Sequence, residues 1–175
     1  MDKSMHGYSF TILFYNEADP GYNEKGRDLN RFCSESNAYK KIFTSGGSDC
    51  FHPAFQHFAQ DKLKPRAVLL EYLPKAESLN CVKYSDALYP RAIEGMEEIH
   101  STRAHHQDIY SPNLLLIHGN PDRLVWIDFD VAITYTNLKP EQKARRDYEI
   151  ALVKGLGDAL RDDQDAGLLP NTKFY

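Results

Sequence analysis

The sequence predicts an α+β fold. Early apolar runs rich in aromatic and β-branched residues read as strands, three longer segments carry apolar residues at helical spacing, and two four-residue apolar runs flank a turn. At 175 residues the chain fits one domain or two small lobes sharing a core.

Taken in order, YSFTILFY (8–15) is apolar on both faces and reads as a buried strand. NEADPGYNEKG (16–26) carries turn formers and charge, so it is a loop. From Asp28 to Phe43 the residues Leu29, Phe32, Ala38, Tyr39 and Ile42 recur at helical spacing, with Asp28 as the expected cap. Glu35 falls on or beside that apolar face, either as an edge residue whose head reaches water or as a carboxylate turned inward. TSGGSDC (44–50) is a loop, and its glycines do not form a phosphate cradle because no helix-opening pattern follows them. AVLLEYL (67–73) is a second buried strand, stopped by Pro74.

Further along, Leu88, Ala92, Ile93, Met96 and Ile99 make an amphipathic stripe, with Ser85 or Asp86 as cap and Pro90 near the start. LLLI (114–117) and LVWI (124–127) flank HGNPDR and predict a β-hairpin. Ala144, Tyr148, Ala151, Leu152, Leu156 and Leu160 predict the core face of a long closing helix that Pro140 opens.

Composition narrows the function classes. A net charge of -4 leaves no basic stripe to grip a phosphate backbone, so a nucleic-acid partner is not expected. There is no apolar run of membrane-spanning length, and MDKSMHGYSF lacks the apolar stretch of a secretory signal, so a cytoplasmic protein without membrane contact is expected. Cys33, Cys50 and Cys81 are widely spaced and odd in number, which suits reduced packing residues.

The densest polar cluster is HHQDIYSPN (105–113), followed after the hairpin by DFD (128–130). A hairpin turns back on itself, so Asp108 and Asn113 before its first strand and Asp128 after its second reach the same end. Two uses fit this spacing. Two carboxylates and a carboxamide are hard-oxygen donors suited to Mg²⁺ beside substrate phosphates; equally, Asp108, Ser111 and Asn113 can shape an Asx-type loop while Asp128 caps a turn. A histidine-rich metallo-hydrolase pattern fails at Ala104 and Ile109, and no G-x-S-x-G elbow is present.

The stretch HQDIYSPN followed by VWIDFD resembles the catalytic loop and metal turn of the protein kinase-like superfamily, H-x-D-x-x-x-x-N and then D-F-G. ESNAYKKI, LLEYL, MEEIHS and the tail GLLPNTKFY resemble small kinase-like proteins of fungal type, and the likeness runs from about Glu35 onward. The resemblance implies a reduced bilobal fold: a truncated N-lobe (1–73) with a small antiparallel sheet and one helix, and a helical C-lobe (74–175) carrying the catalytic-loop hairpin. It implies Asp108 as the base that orients a substrate hydroxyl, His106 as a brace for the loop, and Asn113 and Asp128 as ligands holding Mg²⁺ against ATP. Glu35 would be the inward glutamate of the helix, and Glu71, Tyr72 and Leu73 the hinge that meets adenine. His105 has no counterpart and is expected to be a solvated loop residue.

The departures matter as much. Residues 1–7 leave no room before the first strand for the glycine-rich strand pair, and the strand lysine is replaced by Phe14, with Lys3 and Lys25 outside the strand. Losing such a donor costs on the order of 3 kcal/mol in transition-state stabilisation, about a hundredfold in rate. Asp130 stands where the metal turn has glycine, and VAITYTNLK is too short for a long activation segment, which points to a small hydroxyl or amine substrate rather than a peptide. Two readings stay open. One is an ATP- and Mg²⁺-dependent phosphotransferase in which another cation, such as Lys25, Lys40 or Lys41, replaces the lysine. The other is a pseudokinase acting as a binding module, whose exposed N-lobe sheet pairs with a protein partner or a second copy.

Overall fold

The computed structural model describes residues 10–15, 20–22, 24, 30–42 and 66–170. Asp28, Lys3, Lys25, Cys50 and the glycine loop at 44–50 lie outside them. Among the described residues, three α-helices and several small antiparallel sheets give an α+β architecture.

Strand β1 (Phe10–Tyr15) pairs antiparallel with β2 (Arg66–Glu71), Phe10 opposite Glu71 and Phe14 opposite Ala67. Helix α1 (Arg31–Ile42) lies between them in sequence. It starts later than the spacing predicts, because Asn30 rather than Asp28 is its cap: Asn30 Oδ1 accepts the Cys33 N–H at 3.1 Å and its carbonyl accepts Ser34 N–H at 3.0 Å. β2 ends at Glu71, before Leu73 and Pro74.

Helix α2 (Pro90–Ser101) opens on Pro90 itself. The expected Ser85 or Asp86 side-chain cap is not used; the Ser85 carbonyl takes the Leu88 and Tyr89 N–H groups in a preceding turn, and the Asp86 carboxylate accepts from Tyr84 and Arg161. A proline at the first helical position needs no partner for a missing N–H, so the helix starts there.

The hairpin forms as expected: β5 (Leu114–Ile117) pairs with β6 (Arg123–Trp126), Leu114 opposite Trp126, through a turn with a cis Asn120–Pro121 bond. Short strand β3 (Glu77–Ser78) adds to the outer side of β5, and β4 (Ala104–His105) pairs with β7 (Ile133–Thr134). These two-residue pairings carry no periodic signal, so the sequence does not announce them. One core joins α2, the hairpin and α3 (Pro140–Asp165), with Met96, Leu114, Val153 and Leu160 fully buried. Trp126 donates its indole N–H to the Ala92 carbonyl at 2.9 Å, fixing α2 across the hairpin.

The buried face of α3 is the expected one only at Leu160 and, half-buried against the core, Leu156. Tyr148 and Leu152 are exposed, as are Ala144 and Ala151, whereas Glu149, Val153, Gly157 and Leu160 are buried. The helix is turned by about one residue, because Glu149 finds polar partners inside and Gly157 admits the Tyr89 ring, which a Cβ there would strike. Tyr89 completes the contact by donating to the Val153 carbonyl at 2.6 Å. Cys33 and Cys81 are free thiols. Among the described residues no helix is long and apolar enough to cross a membrane.

Candidate active site

The open end of the hairpin gathers the loop 104–113 and the turn 128–132. Asn113 ends a 3₁₀ turn (Ser111–Asn113) that runs directly into β5, and Asp128 follows β6 after one intervening residue. The Ile127 N–H donates to the Asn113 carbonyl at 2.9 Å, which carries the ladder one step beyond the strands. Asn113 Nδ2 donates to Asp108 Oδ2 at 2.8 Å and to the Asp108 carbonyl at 3.1 Å. Asp108 and Asn113 therefore meet directly, with Asn113 oriented by its amide nitrogen. Its Oδ1 accepts no hydrogen bond among the described residues, nor does the exposed Asp128 carboxylate.

His106 is fully buried and ties the loop to the hairpin. Nε2 donates to the Ile127 carbonyl at 2.8 Å while Nδ1 accepts the Asp108 N–H at 3.3 Å, an arrangement that requires the neutral ring. Burial holds its pKa below the ordinary histidine value. Phe129 packs its buried ring 4.7 Å from His106 and 5.1 Å from Tyr39 of α1, so one aromatic column links α1, the turn and the loop.

Three non-glycine residues here adopt left-handed backbone: Arg103 at φ 66°, Gln107 at φ 69° and Asp128 at φ 63°. Each costs on the order of 1 kcal/mol. For Gln107 the return is visible, since its N–H donates to Glu149 Oε1 at 2.6 Å. Glu149 Oε2 accepts His100 Nε2 at 2.5 Å and the His106 N–H at 3.3 Å. The α3 carboxylate thus fastens two successive backbone amides of the loop to α2. Despite burial, hydrogen bonds from His100 and Gln107 draw the Glu149 pKa below its usual value. Glu149 and His100 did not stand out as site residues; the available signal was a carboxylate set among the apolar positions of the closing helix.

His105 is 1% exposed rather than solvated, because β4 carries it inward between His100 and Tyr135, with ring centroids 5.2 and 4.9 Å away. Burial lowers its pKa.

Glu35 is turned inward: it is 0% exposed, and neither carboxylate oxygen has a hydrogen-bond partner among the described residues. Burial first, then the charges of Asp128 and Asp130, raise its pKa to about 7. Asp130 ion-pairs with Arg31 of α1 at 3.4 Å. Lys40 and Lys41 are exposed in the last turn of α1.

Glu71, Tyr72 and Leu73 are not brought against this cluster. Glu71 reaches Arg123 at 3.4 Å, at the turn end of the hairpin, and Tyr72 is exposed. A four-residue strand separates the two ends, about 13 Å.

No group of three His, Cys, Asp or Glu side chains among the described residues is gathered closely enough to hold a metal ion unaided. Asp128 offers one carboxylate and Asn113 Oδ1 one carboxamide oxygen, hard-oxygen donors of the kind Mg²⁺ takes beside water and phosphate. Neither the protein-family models nor the curated proteins contain a match to this chain.

Proposed function

We propose that this chain is a reduced kinase-like phosphotransferase that moves the γ-phosphoryl group of ATP to a small hydroxyl or amine. The observation that carries this reading is the hairpin end, where Asn113 is locked to Asp108 at 2.8 Å while its own oxygen and the Asp128 carboxylate stay open. A structural Asx loop would consume those oxygens on nearby backbone N–H groups.

The order of elements supports the same reading. The antiparallel β1–β2 pair with α1 between them in sequence is what a reduced upper lobe of 1–73 would need, and α2, the hairpin and α3 are what a lower lobe of 74–175 would need. A nucleotide lying along the hairpin would put its base near Glu71, Tyr72 and Leu73 and its phosphates near Asp108 and Asp128. Asp108 Oδ2 is occupied by Asn113, leaving Oδ1 to accept the proton of the substrate hydroxyl. As the hydroxyl oxygen bonds to the γ-phosphorus, the bond from phosphorus to the β,γ-bridging oxygen breaks and ADP leaves. Mg²⁺ held by Asn113 and Asp128 would supply charge neutralisation on the phosphates. Phe14 in place of the strand lysine argues for slow turnover.

Melting curves with ATP, with and without Mg²⁺, test the reading. Mg-ATP at a hundred times its dissociation constant stabilises by about 2.7 kcal/mol, and Asp128→Ala is expected to abolish the metal-dependent part. Asp108→Ala is expected to keep binding and lower phosphate transfer about a hundredfold or more. The absence of any Mg-ATP shift rejects the proposal. Binding without transfer to any small hydroxyl or amine leaves the binding-module reading, which the replacement of the strand lysine by Phe14 favours.

A further inference from the structure

A phosphotransferase without its strand lysine needs a cation from somewhere else. The α1 face turned toward the metal turn is a single stripe at four-residue spacing: Arg31 meets Asp130 at 3.4 Å, Glu35 feels the charges of Asp128 and Asp130, and Tyr39 packs on Phe129. Asn30 caps the helix and thereby fixes Arg31 as its first residue, one turn before Glu35. Lys40 sits nine residues further along the same helix, about 14 Å up the axis, and is exposed.

We infer that Arg31 is the phosphate-binding cation of this chain, delivered by the helix rather than the strand and held on Asp130 until a nucleoside triphosphate arrives. The inference rests on the phosphotransferase reading above. Arg31 is 63% exposed and Asp130 is 18% exposed, so their contact is a partly solvated pair of the kind that contributes about 1 kcal/mol or less. A polyphosphate carries more charge than one carboxylate and matches the planar guanidinium fork with two oxygens at once. Exchange of partners is therefore downhill. It also gives Asp130 a use: where the resembling turn has glycine, this chain has a carboxylate that keeps the guanidinium near the site.

The test is a set of dissociation constants for Mg-ATP and adenosine, measured by titration calorimetry on the full chain. Arg31→Ala is expected to weaken Mg-ATP about tenfold or more and leave adenosine unchanged; Arg31→Lys is expected to fall between. Asp130→Asn is expected to tighten Mg-ATP a few-fold, and that gain is expected to vanish when Arg31→Ala is added. A gain that survives in the double variant means only that a repulsive charge was removed, and overturns the assignment. Wild type binding Mg-ATP with Arg31→Ala indistinguishable from it overturns the assignment and leaves the phosphotransferase reading standing. Wild type binding no Mg-ATP removes both.

Discussion

Glu149 on α3 and Glu35 on α1 are both buried carboxylates, 5% and 0% exposed, next to the same loop and turn, and their surroundings drive them in opposite directions. Glu149 is met by His100 and two backbone N–H groups and is held charged, its pKa lowered. Glu35 has no hydrogen-bond partner among the described residues, faces two more carboxylates, and has its pKa raised to about 7. Burial alone does not decide the charge of a carboxylate; the donors aimed at it do. The difference separates a carboxylate fixed by its donors from one without a hydrogen-bond partner among the described residues.

The largest expected effect comes from cutting the fixed side. Glu149→Ala leaves His100 and the His106 N–H buried without their acceptor, and is expected to cost about 3–5 kcal/mol in urea unfolding. A loss below about 1 kcal/mol would show that Glu149 is dispensable to the loop and erase the contrast with Glu35.

Glu35→Gln acts the other way. A folded-state value of about 7 against an ordinary 4.5 means the native state binds the proton more tightly than the unfolded chain. Stability therefore falls as pH rises from 4.5 to about 7. Removing the charge is expected to stabilise the protein by roughly 3 kcal/mol at pH 8 and by little near pH 4. Glu149 contributes in the opposite window: its lowered value gives stability that is present above pH 4.5 and is lost as pH falls through the folded value. Melting temperatures of wild type and Glu35→Gln measured from pH 4 to 8 should converge on the acid side. Parallel curves would mean that Glu35 carries no shifted proton.

Asn113→Ala tests the boundary between the two regions. It removes the 2.8 Å bond to Asp108 and is expected to cost about 1 kcal/mol in stability, while abolishing the Mg²⁺ dependence of ATP binding. The smallest effect is expected from Lys40→Ala and Lys41→Ala. Both are exposed, so each should change stability by less than about 0.5 kcal/mol and leave the pH profile set by Glu35 untouched. A profile displaced by either would show that this lysine's charge reaches Glu35.

The α+β class, the hairpin and the meeting of Asp108 with Asn113 at its open end were legible in the sequence, because strand period, turn residues and antiparallel geometry are local or nearly local properties. Asn30 was overlooked as the α1 cap because its neighbour Asp28 offers the same chemistry two residues earlier. The rotation of α3 escaped because periodicity scores apolar residues and therefore sets Tyr148 and Leu152 inside, ahead of a glutamate.

What the order of residues determined is the ribbon and the donors it carries. What only the tertiary structure decided is the state of those donors: His105 inward, Glu149 charged among loop amides, Glu35 buried without a hydrogen-bond partner among the described residues, and Arg31 seated on Asp130. The physical reason is range. A turn or strand is specified by neighbours a few residues apart, whereas the charge and burial of a side chain depend on groups from distant segments that meet only when the chain has folded.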